Sequence, residues 1–107
     1  MNTSQGIRPV SEVEMIEALK NRKYSAFEDF YDQYAPAFFG RIKKALYRDE
    51  VSADTLKDVF KTIWSSIEQY DSSRESLFTW AMRITRQKTS QQKIRISIAE
   101  LLYCRTH

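Results

Sequence analysis

The chain has 107 residues, 42% of them hydrophobic, with two glycines, two prolines, one cysteine, one histidine and a formal net charge of +3. This length fits one domain, and the apolar fraction supports a packed core rather than wholesale disorder. So little glycine excludes hairpin-rich sandwiches and barrels, and neither Gly6 nor Gly40 belongs to a Gly-rich phosphate loop.

Cys104 stands alone, which excludes an internal disulfide framework and a zinc ligand set. His107 is the last residue, so no serine or cysteine has a histidine base built into the fold. Neither enzymatic activity nor a cofactor or metal is expected. No apolar run approaches the ~20 residues of a membrane span. Residues 1–15 lack the apolar core of a secretory signal, so the expected location is cytoplasmic. Residues 1–73 carry ten Lys/Arg against twelve Asp/Glu, whereas residues 74–107 carry seven against two. That basic end suits an anionic partner, nucleic acid first, although a solvated helix face has the same composition.

Taken in order, residues 1–10 have no periodicity and read as a flexible arm. Ser11 opens a capping box with Glu14, and Val13, Ile16 and Leu19 follow at helical spacing, predicting a short helix that ends near Asn21–Lys23. Ser25 and Glu28 form a second capping box. Beyond it Phe27, Phe30, Tyr31, Tyr34, Phe38, Ile42 and Leu46 define one face of a long helix, which Pro36 is expected to kink or split. Ser52 is the expected N-cap of the next helix. Its apolar positions Leu56, Val59, Phe60, Ile63, Trp64 and Ile67 follow the 3.6-residue period most cleanly. Residues 70–76 are a polar loop. Ser76 is placed to cap a helix with Leu77, Trp80, Ala81 and Ile84 on its apolar face, and that face fades after Lys88. The stretch 94–103 fits either a strand or a helix, and with no other strand to pair with it is read as helix. The expected fold is all-α, a compact three- to four-helix bundle over 11–95, with an apolar C-terminal tail over 96–107.

Asp54 and Asp58 share a helix face, but no histidine or phosphate loop accompanies them, so they do not read as a catalytic pair. Most aromatic residues fall at core positions; Tyr70, Phe78 and Trp80 lie near Arg74, Arg83 and Arg86, where rings can stack on bases.

Three stretches in order carry a resemblance: AFEDFYDQYAPAFF (26–39), ADTLKDVFKTIW (53–64) and YDSSRESLFTWAMRITR (70–86). They resemble region two of bacterial sigma factors, most closely the extracytoplasmic-function group, whose stretches read like AFxxLYDRYAP, AEDxxQEVFxxxW and SFxxWLxRIARN. The resemblance spans about residues 12–95. It implies a domain that binds the clamp helices of the RNA polymerase largest subunit and reads the non-template strand of the promoter −10 element. Residue by residue, it implies polymerase contacts at Asp54, Lys57, Asp58 and Lys61, over Phe60 and Trp64. It implies contacts to single-stranded −10 DNA at Tyr70, Arg74, Phe78, Arg83, Arg86, Lys88, Lys93 and Arg95. An anti-sigma protein, or a separate polypeptide supplying region four, is a further implied partner, since 107 residues leave no place for that module. A sigma-like negative effector or decoy that binds polymerase, a sigma or an anti-sigma protein without reading promoters is the alternative.

This sequence departs from the family pattern where Lys57 replaces a glutamine, and where Gln87 and Gln91 replace an asparagine and an aspartate. Because the family's clamp helices are arginine-rich, Lys57 adds like-charge repulsion there. Lys57→Gln is therefore expected to tighten binding to a clamp-helix fragment, measured by calorimetry; weaker binding would show that Lys57 has an acidic partner of its own.

Overall fold

The computed structural model describes residues 11–106, so the arm expected at 1–10 lies outside the described residues, as does His107. Among the described residues, four α-helices follow one another: α1 (Glu12–Lys20), α2 (Tyr24–Leu46), α3 (Asp49–Ser66) and α4 (Leu77–Thr106), with a 3-10 turn at Ile67–Gln69. Among the described residues there is no strand, so the all-α bundle expected from the sequence is the fold observed.

The capping box at the start of α1 forms as expected. The Glu14 amide donates to Ser11 Oγ over 3.2 Å, and the Ser11 amide donates to the Glu14 carboxylate over 3.3 Å. Met15 and Leu19, rather than Val13, face the core; Val13 is 74% exposed. The second and third caps differ from expectation. α2 begins at Tyr24 after Lys23, and α3 begins at Asp49 after Arg48, neither with a side-chain cap. Asp49 and Glu50 instead place negative charge in the first turn of α3, where the helix dipole favours it.

Pro36 does not split α2, which runs 23 residues through it. Pro36 and Asp32 are both exposed, so the Asp32 carbonyl that loses its amide partner faces water rather than the core. α2 ends at Tyr47 in the left-handed conformation (φ 67°), and its amide donates to the Lys43 carbonyl over 2.8 Å. Only Tyr47 and Arg48 separate α2 from α3, which forces the two helices to pack antiparallel.

The core joins Phe30, Phe38 and Ile42 of α2, Val59, Phe60 and Ile63 of α3, Leu77 and Ala81 of α4, and Leu19 of α1. α4 runs unbroken for 30 residues, about 45 Å, within a molecule 59 Å long. The stretch 94–103 is thus helical. Its buried face does not stop with the last apolar residue, because Thr85 and Thr89 continue it. Their hydroxyls donate to the Ala81 and Thr85 carbonyls over 2.9 and 2.7 Å, which satisfies them inside the interface. Ile94, Ile98 and Leu101 remain exposed, and Ile96 alone of the tail isoleucines packs partly on the core.

Ser52 is fully buried, and its hydroxyl has no hydrogen-bond partner. A buried, unsatisfied hydroxyl costs about 1–3 kcal/mol. Ser52→Ala removes the group at little loss of volume, and is expected to raise stability by about 1 kcal/mol in urea unfolding.

Candidate functional site

The loop between the 3-10 turn and α4 is built around Tyr70. This residue is 2% exposed, so its ring is not open to the base stacking that its place near Arg74 suggested. Its hydroxyl donates to the Glu75 carbonyl over 2.7 Å, and its own carbonyl accepts from Lys20 Nζ over 2.7 Å. The Lys20 ammonium also sits 5.8 Å from the ring centroid, and the Trp80 ring lies 5.3 Å away. Burial pushes the Tyr70 phenol above its ordinary range, with the Glu12, Glu75 and Asp71 carboxylates adding to the effect. Tyr70 therefore ties the loop to α1 and α4.

Within the loop, the Asp71 carboxylate accepts from the Ser73 hydroxyl over 2.7 Å and the Ser73 amide over 2.9 Å. The Arg74 amide donates to the Asp71 carbonyl over 3.1 Å, closing a turn. The two Ser73 bonds hold the Asp71 carboxyl below its ordinary value of 3.8. Ser76 caps α4 as expected, its hydroxyl accepting from the Thr79 amide over 3.1 Å. The loop and the first turns of α4 enclose a polar concavity of about 540 Å³ that includes Asp71, Arg74, Glu75 and Arg83. Glu75, which the sequence reading left without a role, forms an ion pair with Arg83. Phe78 is partly exposed beside this loop, its ring 5.6 Å from Tyr34 and 5.9 Å from Phe38.

The basic residues of α4 fall into two groups. Arg86 and Lys93, about two turns apart, share the solvent side with Arg83. Lys88 and Arg95 lie on the side turned to α3. There, with Asp54, Asp58 and Gln91, they line a groove of about 220 Å³. Lys88 Nζ is 3.4 Å from the Asp58 carboxylate. One residue expected to meet DNA is thus paired with one expected to meet polymerase. Spacing along either helix could not reveal this contact, which needs the packing of α3 on α4.

The four α3 residues expected to meet polymerase are all exposed but border two different surfaces. Asp54 and Asp58 face α4, whereas Lys57 and Lys61 border an aromatic groove against α2. Phe60 is buried beneath this arc, and Trp64 is partly buried at its end. Arg22, held at φ 60°, donates to the Trp64 carbonyl and lies 5.3 Å from the Trp64 ring, anchoring the α1–α2 turn to α3.

These features define an all-α bundle that presents charged faces on two adjoining helices and a structured polar loop before the more basic one. The chain belongs to the Sigma-70 region 2 family, whose family model matches residues 30–93. It is 27% identical over 74 residues to the ECF RNA polymerase sigma factor SigK of Mycolicibacterium vanbaalenii, covering 69% of this chain and 38% of that protein. It is likewise 27% identical over 77 residues to the ECF RNA polymerase sigma factor RpoE of Cereibacter sphaeroides, covering 71% of this chain and 42% of the relative. Identity to SigK of Mycobacterium tuberculosis is 19% over 74 residues, 69% of this chain and 40% of that protein. The matched region thus spans about two fifths of the length of these curated relatives. No solved structure gives a significant match. No helix among the described residues is long and apolar enough to cross a membrane.

A group whose folded pKa is depressed stabilises the fold above its unfolded pKa, and that contribution is lost as pH falls through the folded value. The Asp71 turn is therefore expected to open only on acidification below the ordinary carboxylate value of 3.8. Protection of the Ser73 and Arg74 amides, relative to their intrinsic exchange rates at the same pH, should fall there. Asp71→Ala should give the same loss of protection at neutral pH with the helical circular dichroism unchanged.

Proposed function

We propose that this chain is a sigma region 2 module acting in transcription initiation. In this reading the exposed arc of α3 binds the clamp helices of the RNA polymerase largest subunit, and α4 with its preceding loop holds the non-template strand of the −10 element. The observation that carries the reading is the family match over residues 30–93, which includes both faces. Charge adds support, since Asp54 and Asp58 offer carboxylates to an arginine-rich partner, where charge-assisted pairs give orientation and on-rate.

On the DNA side Arg74, Arg86, Lys93 and Arg95 form no ion pair with another described residue, whereas Arg83 and Lys88 each do. Phe78 is the aromatic left partly open beside the loop, Tyr70 being buried. An exposed ion pair is worth about 0–1 kcal/mol, so a phosphate can displace Asp58 from Lys88. Binding at the α3 face, by engaging Asp58, would release Lys88 toward DNA. The cytoplasm is the compartment this role requires. An anti-sigma protein, or a separate chain carrying region four, is a further partner under this reading.

A second reading has its own observation. Lys57 adds a cation to the polymerase face, while two of the basic residues implied at the DNA face are engaged internally. Both features favour a sigma-like regulator that binds protein partners without productive promoter reading.

Fluorescence anisotropy on a −10 non-template oligonucleotide over a salt series, with a pull-down on core polymerase, separates the two. Four phosphate contacts give a log K against log salt slope of about −3 on a single strand. Asp58→Ala frees Lys88 and is expected to steepen that slope by about 0.7. Polymerase binding without sequence preference on DNA supports the regulator. Binding to neither overturns both.

A further inference from the structure

The distal half of α4 carries three aliphatic side chains that the bundle leaves uncovered. Ile94, Ile98 and Leu101 fall at i, i+4 and i+7, in one line along about two turns of the helix. They are 59%, 53% and 61% exposed. From Lys93 to Arg105 every residue except Ile96 is exposed. Ile96, which packs partly on the core, lies two residues beyond Ile94 and so on the opposite side of the helix. The stripe therefore points away from the bundle, on a ridge rather than in a groove.

Charge on both sides of this stripe has one sign. Lys93 and Arg95, one residue before and one after Ile94, stand about 100° to either side of it, and Arg105 closes the far end. α4 holds six Lys/Arg and a single carboxylate, Glu100. That carboxylate lies 3.3 Å from the Arg48 guanidinium, which offsets its charge. Lys93, Arg95 and Arg105 form no ion pair with another described residue. An aliphatic ridge between two cationic flanks calls for a partner that is anionic at its edge and apolar behind it.

We propose that this part of α4 is a membrane-surface site. It lies along an anionic lipid bilayer, with Ile94, Ile98 and Leu101 among the first acyl carbons and Lys93, Arg95 and Arg105 on the headgroup phosphates. An apolar insert and a basic patch are the two signals that together hold a protein at such a surface, and one alone binds only marginally. Long basic side chains keep their stems along the apolar boundary while their heads reach phosphate. The helix lies on the bilayer rather than crossing it, since three aliphatic residues fall far short of a span. A second copy fits poorly. Its cationic flanks would face those of the first, and an apolar repeat of about two turns is much shorter than the three or four heptads of a coiled coil. A nucleic acid strand would satisfy the cations but leave uncovered the aliphatic side chains, which do not stack on bases as rings do. A partner helix with acidic flanks has the right charge but needs a groove or a longer seam, and this ridge offers neither. The site shares Lys93 and Arg95 with the DNA face proposed above but does not rest on that reading.

The test uses the full chain and co-sedimentation with vesicles, either phosphatidylcholine alone or phosphatidylcholine with about 30% phosphatidylglycerol. Binding to the anionic vesicles is expected to be at least about tenfold tighter. Ile98→Ser with Leu101→Ser, both at exposed positions, should weaken it at least about tenfold with the melting temperature unchanged. Lys93→Gln with Arg95→Gln should remove most of the preference for anionic lipid. A polarity-sensitive dye on Cys104, the only cysteine and exposed, should shift its emission to the blue on the anionic vesicles. No binding, or equal binding to the two vesicle types, would overturn the proposal. So would an unchanged affinity of the serine variant, which would mean adsorption by charge alone. A dimer that the serine substitutions break, without vesicle binding, would overturn it in favour of a second copy. Tighter binding to a helical peptide of about 20 residues, with a leucine stripe flanked by glutamates, would overturn it in favour of a protein partner. Core polymerase and promoter DNA are absent from this assay, so the site and the proposed function fail independently.

Discussion

The packing of Phe60 against α2 is the contact on which the other surfaces depend. Its ring lies within 6.0 Å of four rings of α2: Phe27, Phe30, Tyr31 and Phe38. A two-residue connection already makes α2 and α3 antiparallel, but leaves their rotation about their own axes free. Seating Phe60 between those rings fixes that rotation. Lys57 and Lys61 are thereby placed against α2, while Asp54 and Asp58 are turned toward α4. Truncating Phe60 would cost about 3–5 kcal/mol by the usual measure of a buried aromatic. In a domain this small that is a large share of the total stability.

Electrostatics then divides the surface more finely than net charge suggests. The basic end of the chain is not one continuous patch, because Glu75 covers Arg83 and Asp58 covers Lys88. Both pairs are solvent-accessible and so worth little to the fold. What they do is screen the positive field that an approaching anion would feel, until a ligand of the right sign competes for one member. α3 and α4 therefore share a charge pair that either face can release. That gives this small domain a route by which contact on α3 alters the charge available on α4.

The long periodic segments were legible in the sequence because burial and helix geometry enforce the same spacing. Leu56, Val59, Phe60 and Ile63 of α3, and Ile67 in the 3-10 turn that follows it, are all buried as their period demands. Cap residues were legible only where nothing competed. Ser11 and Ser76 cap their helices, but Ser25 and Ser52 do not, because short interhelix connections start α2 and α3 before those serines are reached. Ser52 is drawn into the interior instead. Tyr70 was misplaced for a related reason. In a run of polar residues it reads as exposed, yet the loop closes over it and gives its hydroxyl and carbonyl partners far apart in sequence. Thr85 and Thr89 hid the continuation of the core face, since their methyl groups pack while their hydroxyls are satisfied within α4.

The length of α4 bears on how well its basic face is preorganised. The N-terminal half is held by Leu77, Trp80, Ala81, Ile84, Thr85 and Thr89, all buried. Beyond Lys93, Ile96 packs partly on the core and the exposed Arg48–Glu100 pair links α4 to the α2–α3 connection, while most side chains are exposed. A helix of about 13 residues with so little packing is barely stable alone in water, so these turns persist by propagation from the packed half. Local opening free energy must therefore fall along the helix from Arg86 toward Arg105. Arg86 offers a phosphate a fixed partner at small entropic cost. Lys93 and Arg95 offer charge that must first be ordered, by a ligand or by whatever covers Ile94, Ile98 and Leu101. The strength of the distal basic contacts is thus coupled to the apolar stripe beside them, although the two lie on different sides of the same helix.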